Sequence, residues 1–194
     1  MRKGEATRQT ILDESIRLAS TVGLGALTIG TLATQTGMSK SGLFAHFNSK
    51  ESLQIQALEH AGARFREHVV HPMLAAPRGE PRLRALFDLW LTWVSTGLPG
   101  GCLFIAADYE FDDQPGPVRD TLVRDQRDWL ETMTRVVGSG IVEGHFAADT
   151  DPAQFAQDLF GVVLAYSVTS RLIQDPNAEA YARRAFESLL RAAR

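Results

Sequence analysis

The chain has 194 residues, of which 44% are hydrophobic and 22% charged, a composition ordinary for a soluble globular protein. It contains no run of about 18 apolar residues, which excludes a membrane-spanning helix, and its first residues lack the apolar core of a signal peptide. The single cysteine, Cys102, excludes an internal disulfide framework and favours a cytoplasmic location.

The formal net charge of −3 is unevenly distributed. Residues 1–50 contain six Lys or Arg residues against three acidic residues, a balance of +3, whereas the remainder contains fourteen against twenty, a balance of −6. A basic excess at one end favours contact with phosphates there, and an acidic remainder limits non-specific binding to nucleic acid.

Apolar residues recur at helical spacing along the chain, and no strand pattern or repeat is present. The pattern predicts an all-α protein of about nine helices. Three of them form an N-terminal head (residues 1–50), and the others form a larger body (residues 51–194). A connecting helix over residues 51–71, stopped by Pro72, begins the body. A long helix over residues 118–137 is expected to loosen at Gly138 and Gly140.

Two very short helices separated by a tight turn are predicted within the head. Thr28 and Ser39 can each cap a helix through the side-chain hydroxyl, and Gly37 tolerates the positive φ that the turn requires. Leu43 and Phe47 would face inwards. A helix of two turns is not stable alone, so other helices must hold it. The pattern is typical of a helix-turn-helix, whose second helix enters the DNA major groove, although ordinary bundles also contain such hairpins.

This stretch resembles the DNA-binding region of the TetR family of bacterial transcriptional regulators. The matching segments are Leu27-Thr28-Ile29, Leu32-Ala33, Gly37-Met38-Ser39-Lys40, Gly42-Leu43-Phe44, His46-Phe47 and Ser49-Lys50-Glu51. The match is dense in the head and fades in the body. The resemblance implies a homodimer that binds a double-stranded DNA operator, with a small-molecule effector enclosed by each body.

Within this interpretation, the DNA-binding residues are Thr28, Ser39, Lys40, Ser41, Phe44, His46 and Lys50. Lys40 and Ser41, at the start of the recognition helix, are predicted to contact base edges. Lys50 begins the next helix, where a cation opposes the helix dipole, and the resemblance implies that it meets a DNA phosphate. Phe44 departs from the tyrosine usual in the family and lacks its hydroxyl.

The resemblance also implies a small-molecule pocket in the body, and the aromatic side chains of this region indicate an apolar or aromatic effector. Its predicted lining is Trp90, Trp93, Phe104, Tyr109, Trp129 and Met133. The last two helices carry the predicted dimer interface, consisting of Phe155, Leu159, Val162, Tyr166, Tyr181, Ala185 and Leu189. Both sets also fit ordinary core positions within one chain, and this alternative stays open.

Other functional classes find little support in the sequence. No P-loop, Gly-x-Ser-x-Gly, His-Glu-x-x-His or dinucleotide-binding motif is present, so no enzyme, catalytic residue or cofactor is predicted. Possible metal-binding groups are interpreted as solvated helix faces instead: His60, His68 and His71, and the acidic cluster Asp108, Glu110, Asp112 and Asp113. Cys102 is interpreted as a buried apolar side chain. The open alternatives are a thiol redox sensor and a helical interaction module that does not bind DNA.

Overall fold

The computed structural model describes residues 3–194, with side chains from residue 8 onwards, so part of the N-terminal basic excess lies outside the described residues. The all-α class is confirmed, because no β-strand occurs among the described residues. None of the described helices is both long enough and apolar enough to cross a membrane.

The helices in chain order are α1 (Lys3–Val22), α2 (Ile29–Thr36), α3 (Lys40–Phe47), α4 (Lys50–Phe65), α5 (His71–Leu74), α6 (Glu80–Thr96), α7 (Leu103–Phe111), α8 (Pro117–Val142), α9 (Pro152–Ser167) and α10 (Ala178–Ala192). A π-helical turn, Arg66–Val70, joins α4 to α5, and another, Val168–Leu172, follows α9. With α4 and α5 counted as one continuous helix, the described residues contain nine helices, as predicted.

The chain forms two compact units, which do not follow the predicted boundary at residue 50. Unit 1 consists of residues 1–64 and 96–124, and unit 2 of residues 65–95 and 125–194. Unit 1 extends past the head because Leu103, Ala107 and Phe111 of α7 are buried in the same core as the head helices. The division of functions between residues 1–50 and 51–194 stays a prediction.

The core of unit 1 holds the two short helices from behind. Leu32 of α2 and Leu43 and Phe47 of α3 are fully buried, together with Ile16 of α1 and Leu58 of α4. Burial of a large apolar side chain contributes about 1.5–3 kcal/mol, which helices of this length need because they are not stable alone.

Pro72 does not end the connecting helix, contrary to the prediction. A proline inside a regular α-helix removes one hydrogen bond and clashes with the carbonyl four residues earlier. Here the π-helical turn precedes it, and the N–H of His71 donates to the carbonyl of Arg66, five residues back. The wider turn accommodates the proline, and the helix continues to Leu74.

The glycines near the end of α8 do not end that helix either, because it continues to Val142. Gly140 lies under the ring of Phe146, and a Cβ built on Gly140 would be 2.3 Å from that ring. Nothing lies within 4 Å of a Cβ built on Gly138. Gly140 therefore provides space for an aromatic ring.

In unit 2, α6 and α10 are joined by an aromatic pair and by ion pairs. The rings of Phe87 and Phe186 stack with centroids 4.1 Å apart. Glu80 accepts hydrogen bonds from Arg84 (2.9 Å) and Arg194 (2.6 Å), and Arg84 also pairs with Glu187.

Candidate nucleic-acid interface

The turn between α2 and α3 is defined by a cap at the start of each helix. Thr28 Oγ1 accepts a hydrogen bond from the N–H of Thr31 (3.0 Å), and the N–H of Thr28 donates to Thr31 Oγ1 (2.9 Å). Gly37 ends α2 with a φ of 68°, a left-handed conformation that favours glycine. Ser39 Oγ accepts from the N–H of Gly42 (3.1 Å) at the start of α3. The predicted caps and turn are confirmed.

The outer face of α3 is exposed, although the helix has only eight residues. Lys40 and Ser41 at its N-terminal end are exposed, and His46 is half-buried. Phe44 is 55% exposed. The helix therefore presents donors and one flat ring on the side opposite its buried residues.

Each of the two lysines of this segment is the first residue of a helix. Lys40 begins α3, and its Cε would lie 3.9 Å from a Cβ built on Gly30, which is an ordinary van der Waals distance, so the lysine stem passes close to the start of α2. Lys50 begins α4, which Ser49 caps by accepting a hydrogen bond from the N–H of Ser52 (3.0 Å). The helix dipole places partial positive charge at both helix starts, so each lysine adds to a potential that favours an anion.

All seven predicted DNA-binding residues lie in one segment of unit 1, from the cap of α2 to the first residue of α4. The hydroxyls of Thr28 and Ser39 already serve as caps. If either hydroxyl contacts a ligand, the same oxygen atom must also accept the hydrogen bond that caps the helix.

The loop between α1 and α2 is held by two side chains from other helices of unit 1. Glu110 of α7 accepts hydrogen bonds from the N–H groups of Leu24 (3.0 Å) and Gly25 (2.6 Å). Gln54 of α4 is buried and donates to the carbonyl of Leu24 (2.7 Å). The interpretation of Glu110 as part of a solvated helix end is therefore wrong, because its carboxylate pairs two backbone donors of the loop. Sequence reasoning missed this contact because 85 residues separate Glu110 from Gly25.

The interpretation of His60 as a solvated side chain is also wrong. Its Nε2 lies 2.8 Å from Asp13 Oδ1, which also accepts a hydrogen bond from Arg64 (2.9 Å), and the His60 side chain is 12% exposed. Cys102 is buried directly before α7, which confirms its predicted burial.

The side chains predicted to line an effector pocket fall into both compact units. Four belong to unit 2: Trp90, Trp93, Trp129 and Met133. The rings of Trp90 and Trp129 meet edge to face with centroids 5.0 Å apart. Phe104 and Tyr109 belong to unit 1, where Phe104 packs against the core. Tyr109 is 69% exposed, which is inconsistent with the wall of an enclosed pocket.

The predicted dimer residues also divide by exposure. Phe155, Leu159 and Tyr166 are at most 6% exposed in the single chain, so they belong to its own core. Val162, Ala185 and Leu189 are half-buried, and Tyr181 is 49% exposed. Sequence reasoning missed exposed apolar side chains between α9 and α10: Val168, Leu172 and Ile173. Their only sequence signal is their position directly before the polar break at residues 174–177.

Two family models match successive parts of the chain. Residues 11–57 match the model described as bacterial regulatory proteins, tetR family. Residues 79–186 match the model described as tetracyclin repressor-like, C-terminal domain, which alone covers more than half of the chain.

Among curated proteins, the chain is similar to the uncharacterized HTH-type transcriptional regulator YerO of Bacillus subtilis (strain 168). The two are 40% identical over 53 residues, which is 27% of this chain and 18% of that protein. The match thus spans less than a fifth of the relative's length.

Solved structures match over nearly the whole chain. A TetR transcriptional regulator from Chloroflexus aurantiacus J-10-FL superimposes with a TM-score of 0.86 and 24% identity over 98% of this chain and 95% of that chain. The structure of AibR in complex with isovaleryl coenzyme A and operator DNA has a TM-score of 0.75 and 20% identity, over 93% and 96% of the two chains. At these identities the likeness shows the fold alone.

Proteins described by these models are DNA-binding regulators and not enzymes. One model matches before residues 58–78 and the other matches after them. The capped helix-turn-helix lies within the range of the first model. The chain belongs to the TetR family of bacterial regulatory proteins.

Proposed function

We propose that this chain is a transcriptional repressor that binds a palindromic operator as a homodimer and is released by a small apolar or aromatic effector. The observation that carries the proposal is the exposed N-terminal end of α3, with Lys40 and Ser41 on a helix braced from behind by Leu43 and Phe47. A helix held in this way can enter the major groove N-terminus first.

The exposed side chains have distinct roles in this proposal. Lys40 and Ser41 lie at the end of the helix that reaches the bases, where lysine favours the acceptors of guanine and serine tolerates several partners. Phe44 lacks a polar group, so it packs against a sugar or a thymine methyl group. Lys50, together with Thr28 and His46 beside the helix, contacts the phosphate backbone and positions the helix without reading sequence.

A dimer follows from the small size of the recognition helix. An eight-residue helix contacts too few base pairs for useful specificity among genomic sites, whereas two heads on half-sites about 34 Å apart double the number of contacts. The exposed apolar side chains Leu172 (80% exposed), Ile173 (63%) and Tyr181 (49%) support a dimer surface around the junction of α9 and α10. The half-buried Val162, Ala185 and Leu189 extend this surface along both helices.

Effector release is supported by the aromatic side chains of unit 2 and by a structural relative. AibR was solved with both isovaleryl coenzyme A and operator DNA, so that protein binds a small molecule and DNA on a similar fold. An effector lowers DNA affinity only by as much as it prefers the DNA-free conformation. A redox mechanism is less favoured, because a reactive thiol requires exposure and Cys102 is 8% exposed.

Selection of bound duplexes from a random-sequence pool, followed by salt titration of the selected duplex, tests the proposal. We expect enrichment of an inverted repeat, and a log-log salt slope of about −0.9 for each phosphate contact. A protein that enriches no sequence and binds no duplex in a salt-dependent way would instead be a helical interaction module.

A further inference from the structure

An aromatic cluster in unit 2 is centred on Phe65, the last residue of α4. Phe65 meets Trp93 edge to face (centroids 5.6 Å apart, planes at 77°) and meets Trp129 in the same way (4.8 Å, 89°). Trp129 in turn meets Trp90 edge to face. These four residues, Phe65, Trp90, Trp93 and Trp129, are called the Phe65 cluster below.

Two indole N–H groups of the cluster are buried without a hydrogen-bond partner. They are Nε1 of Trp93 and Nε1 of Trp129, the buried side-chain nitrogen and oxygen atoms found unpaired among the described residues. An unpaired buried donor costs free energy, and native proteins keep few of them. Two in one cluster, with Trp93 only 4% exposed as a residue, indicate a place where an acceptor is supplied from outside the chain.

The cluster is not sealed from the surface. Phe65 and Trp129 are half-buried, and the exposed His68 lies against Trp93 with ring centroids 5.9 Å apart. A small molecule would therefore reach the two indole N–H groups from the side of Phe65, Trp129 and His68, and these side chains would have to move to admit it.

We infer that the Phe65 cluster is the effector site, and that the effector is a compact aromatic or alicyclic molecule whose neutral carbonyl oxygen accepts a hydrogen bond from Trp93 or Trp129. This inference rests on the proposed function, because it specifies the effector of that regulator. A neutral acceptor is favoured over a carboxylate because the indole N–H groups are uncharged donors, and burial of an anion without a cation is costly.

The position of the cluster also suggests how occupancy is transmitted. Phe65 directly precedes the π-helical turn Arg66–Val70, and His68 belongs to that turn. Both touch Trp93, so a ligand at Trp93 alters the packing on the turn that joins α4 to α5. π-helical turns occur frequently at functional sites.

The competing explanation is that the ring face of Phe65 serves as a weak π acceptor for the indole N–H groups. In that case the donors already have a partner, and an added carbonyl compound gains nothing from them. The two explanations therefore differ in what happens to the indole N–H resonances when matched ligands are added.

The test uses the full-length protein with ¹⁵N-labelled tryptophan, which gives three indole N–H resonances, one for each tryptophan. The probes are acetophenone and α-methylstyrene, in which a methylene group replaces the carbonyl oxygen without changing the shape. A second pair, cyclohexanone and methylenecyclohexane, covers alicyclic ligands. We expect the carbonyl compound of at least one pair to bind about fivefold more tightly than its hydrocarbon partner. It should also shift the Trp93 or Trp129 resonance downfield.

Three phenylalanine variants assign the resonances and provide the control. Trp93→Phe and Trp129→Phe each remove an unpaired N–H while keeping an aromatic ring, and at least one of them should abolish the carbonyl preference. Tyr109→Phe is the control, because it also removes one side-chain donor from an aromatic residue, but at a 69% exposed position outside the cluster, and it should retain the preference. If a variant does not fold, the comparison of matched probes on the unaltered protein still decides.

Equal affinity for the carbonyl and hydrocarbon probes of both pairs overturns the inference. It is also overturned if none of the four probes, added up to its solubility limit, shifts an indole resonance. Tighter binding of benzoate than of acetophenone contradicts the neutral class. Failure of the proposed function is a separate outcome. In that case the carbonyl compound still shifts the indole resonances, but adding it does not change the affinity of the protein for the selected operator.

Discussion

At the level of single side chains, the two lysines of the interface are expected to differ in what they contribute to DNA binding. Lys50→Ala would remove the proposed phosphate contact, so affinity should fall by a similar factor for every sequence, and the log-log salt slope should become shallower by about 0.9. Lys40→Ala would remove the proposed base contact, so it should cost about 1–3 kcal/mol on the selected operator and relax the preference at one position of each half-site. Fluorescence anisotropy over a salt series, with the operator and its single-base variants, measures both effects.

The control for these variants is Arg135→Ala, which removes the same unit of charge from α8 at a side chain that is 71% exposed and that pairs, within the described part of the chain, with its helix neighbour Glu131. It should leave both the affinity and the salt slope nearly unchanged. If Lys40→Ala and Lys50→Ala each produced the same uniform loss, the two lysines would not have different roles.

Side-chain roles that depend on neighbours in sequence could be predicted, and roles that depend on distant residues could not. The caps Thr28 and Ser39 act within three residues of themselves, so residue type and spacing were sufficient. Glu110 and His60 pair with groups 85 and 47 residues away, respectively. Nothing in the local sequence distinguishes such side chains from solvated ones, because the same helix position suits both.

At the level of helices, the bond between α7 and the loop before α2 should contribute measurably to the stability of unit 1. Glu110→Gln keeps the shape of the side chain, but it removes the charge and replaces one of the two acceptor oxygens with an NH2 group, which cannot accept from a backbone N–H. We expect a loss of about 1–3 kcal/mol in the free energy of unfolding, measured by urea denaturation. Asp113→Asn, at an exposed position of the same acidic cluster, is the matched control and should change stability by less than about 0.5 kcal/mol. Equal stability of the two variants would show that the Glu110 bonds contribute nothing.

Two glycines of α8 provide a second comparison, because they differ only in what surrounds them. Gly138→Ala places a methyl group in open space on a helix, where alanine is favoured, so stability should rise by about 0.5–1 kcal/mol. Gly140→Ala places the same group 2.3 Å from the Phe146 ring, so stability should fall by about 1–3 kcal/mol. Thermal unfolding of both variants gives the sign of each change. A gain at both positions would mean that the contact between Gly140 and Phe146 is unimportant.

The helices themselves were predictable where periodicity and capping signals agreed, as for α2 and α3. Predictions that a glycine or a proline ends a helix were wrong where the surrounding structure accommodates that residue. Pro72 is accommodated by a π-helical turn, and Gly140 makes space for a ring. The apolar stripe of α9 shows a related limit. It indicates which side is apolar, but not whether the partner is the chain itself, as it is for Phe155, or a second copy.

For the whole molecule, stability should decrease at acidic pH because of the network that joins α6 to α10. The hydrogen bond from Arg194 is the main cause that lowers the pKa of Glu80 below 4.5, and Arg84 lowers the pKa of Glu187 in the same way. Both carboxyl groups therefore bind a proton more weakly in the folded than in the unfolded chain. Their contribution is present above about pH 4.5 and is lost as the pH falls through the lower folded pKa values.

The variant Glu80→Gln isolates this contribution. The difference in free energy of unfolding between the unaltered protein and Glu80→Gln should be about 1 kcal/mol near neutral pH and should shrink below pH 4.5. Urea denaturation at several pH values measures this difference. A difference that stays constant down to pH 3 would mean that the pKa of Glu80 is not lowered in the fold.

We propose that the N-terminal end of α3 lies in the DNA major groove, twice in each assembly. The single cysteine makes a direct measurement possible, because Cys102→Ser removes the only native thiol and Ser41→Cys then carries a tethered iron chelate at that end of the helix. We expect two clusters of hydroxyl-radical cuts in the selected operator, placed symmetrically about its centre and about one helical turn, or a multiple of it, apart. An iron chelate at Ser188→Cys, on an exposed position of α10, should produce no cuts above background. Cuts from Ser188→Cys that match those from Ser41→Cys, or a single unpaired cluster, would contradict the claim.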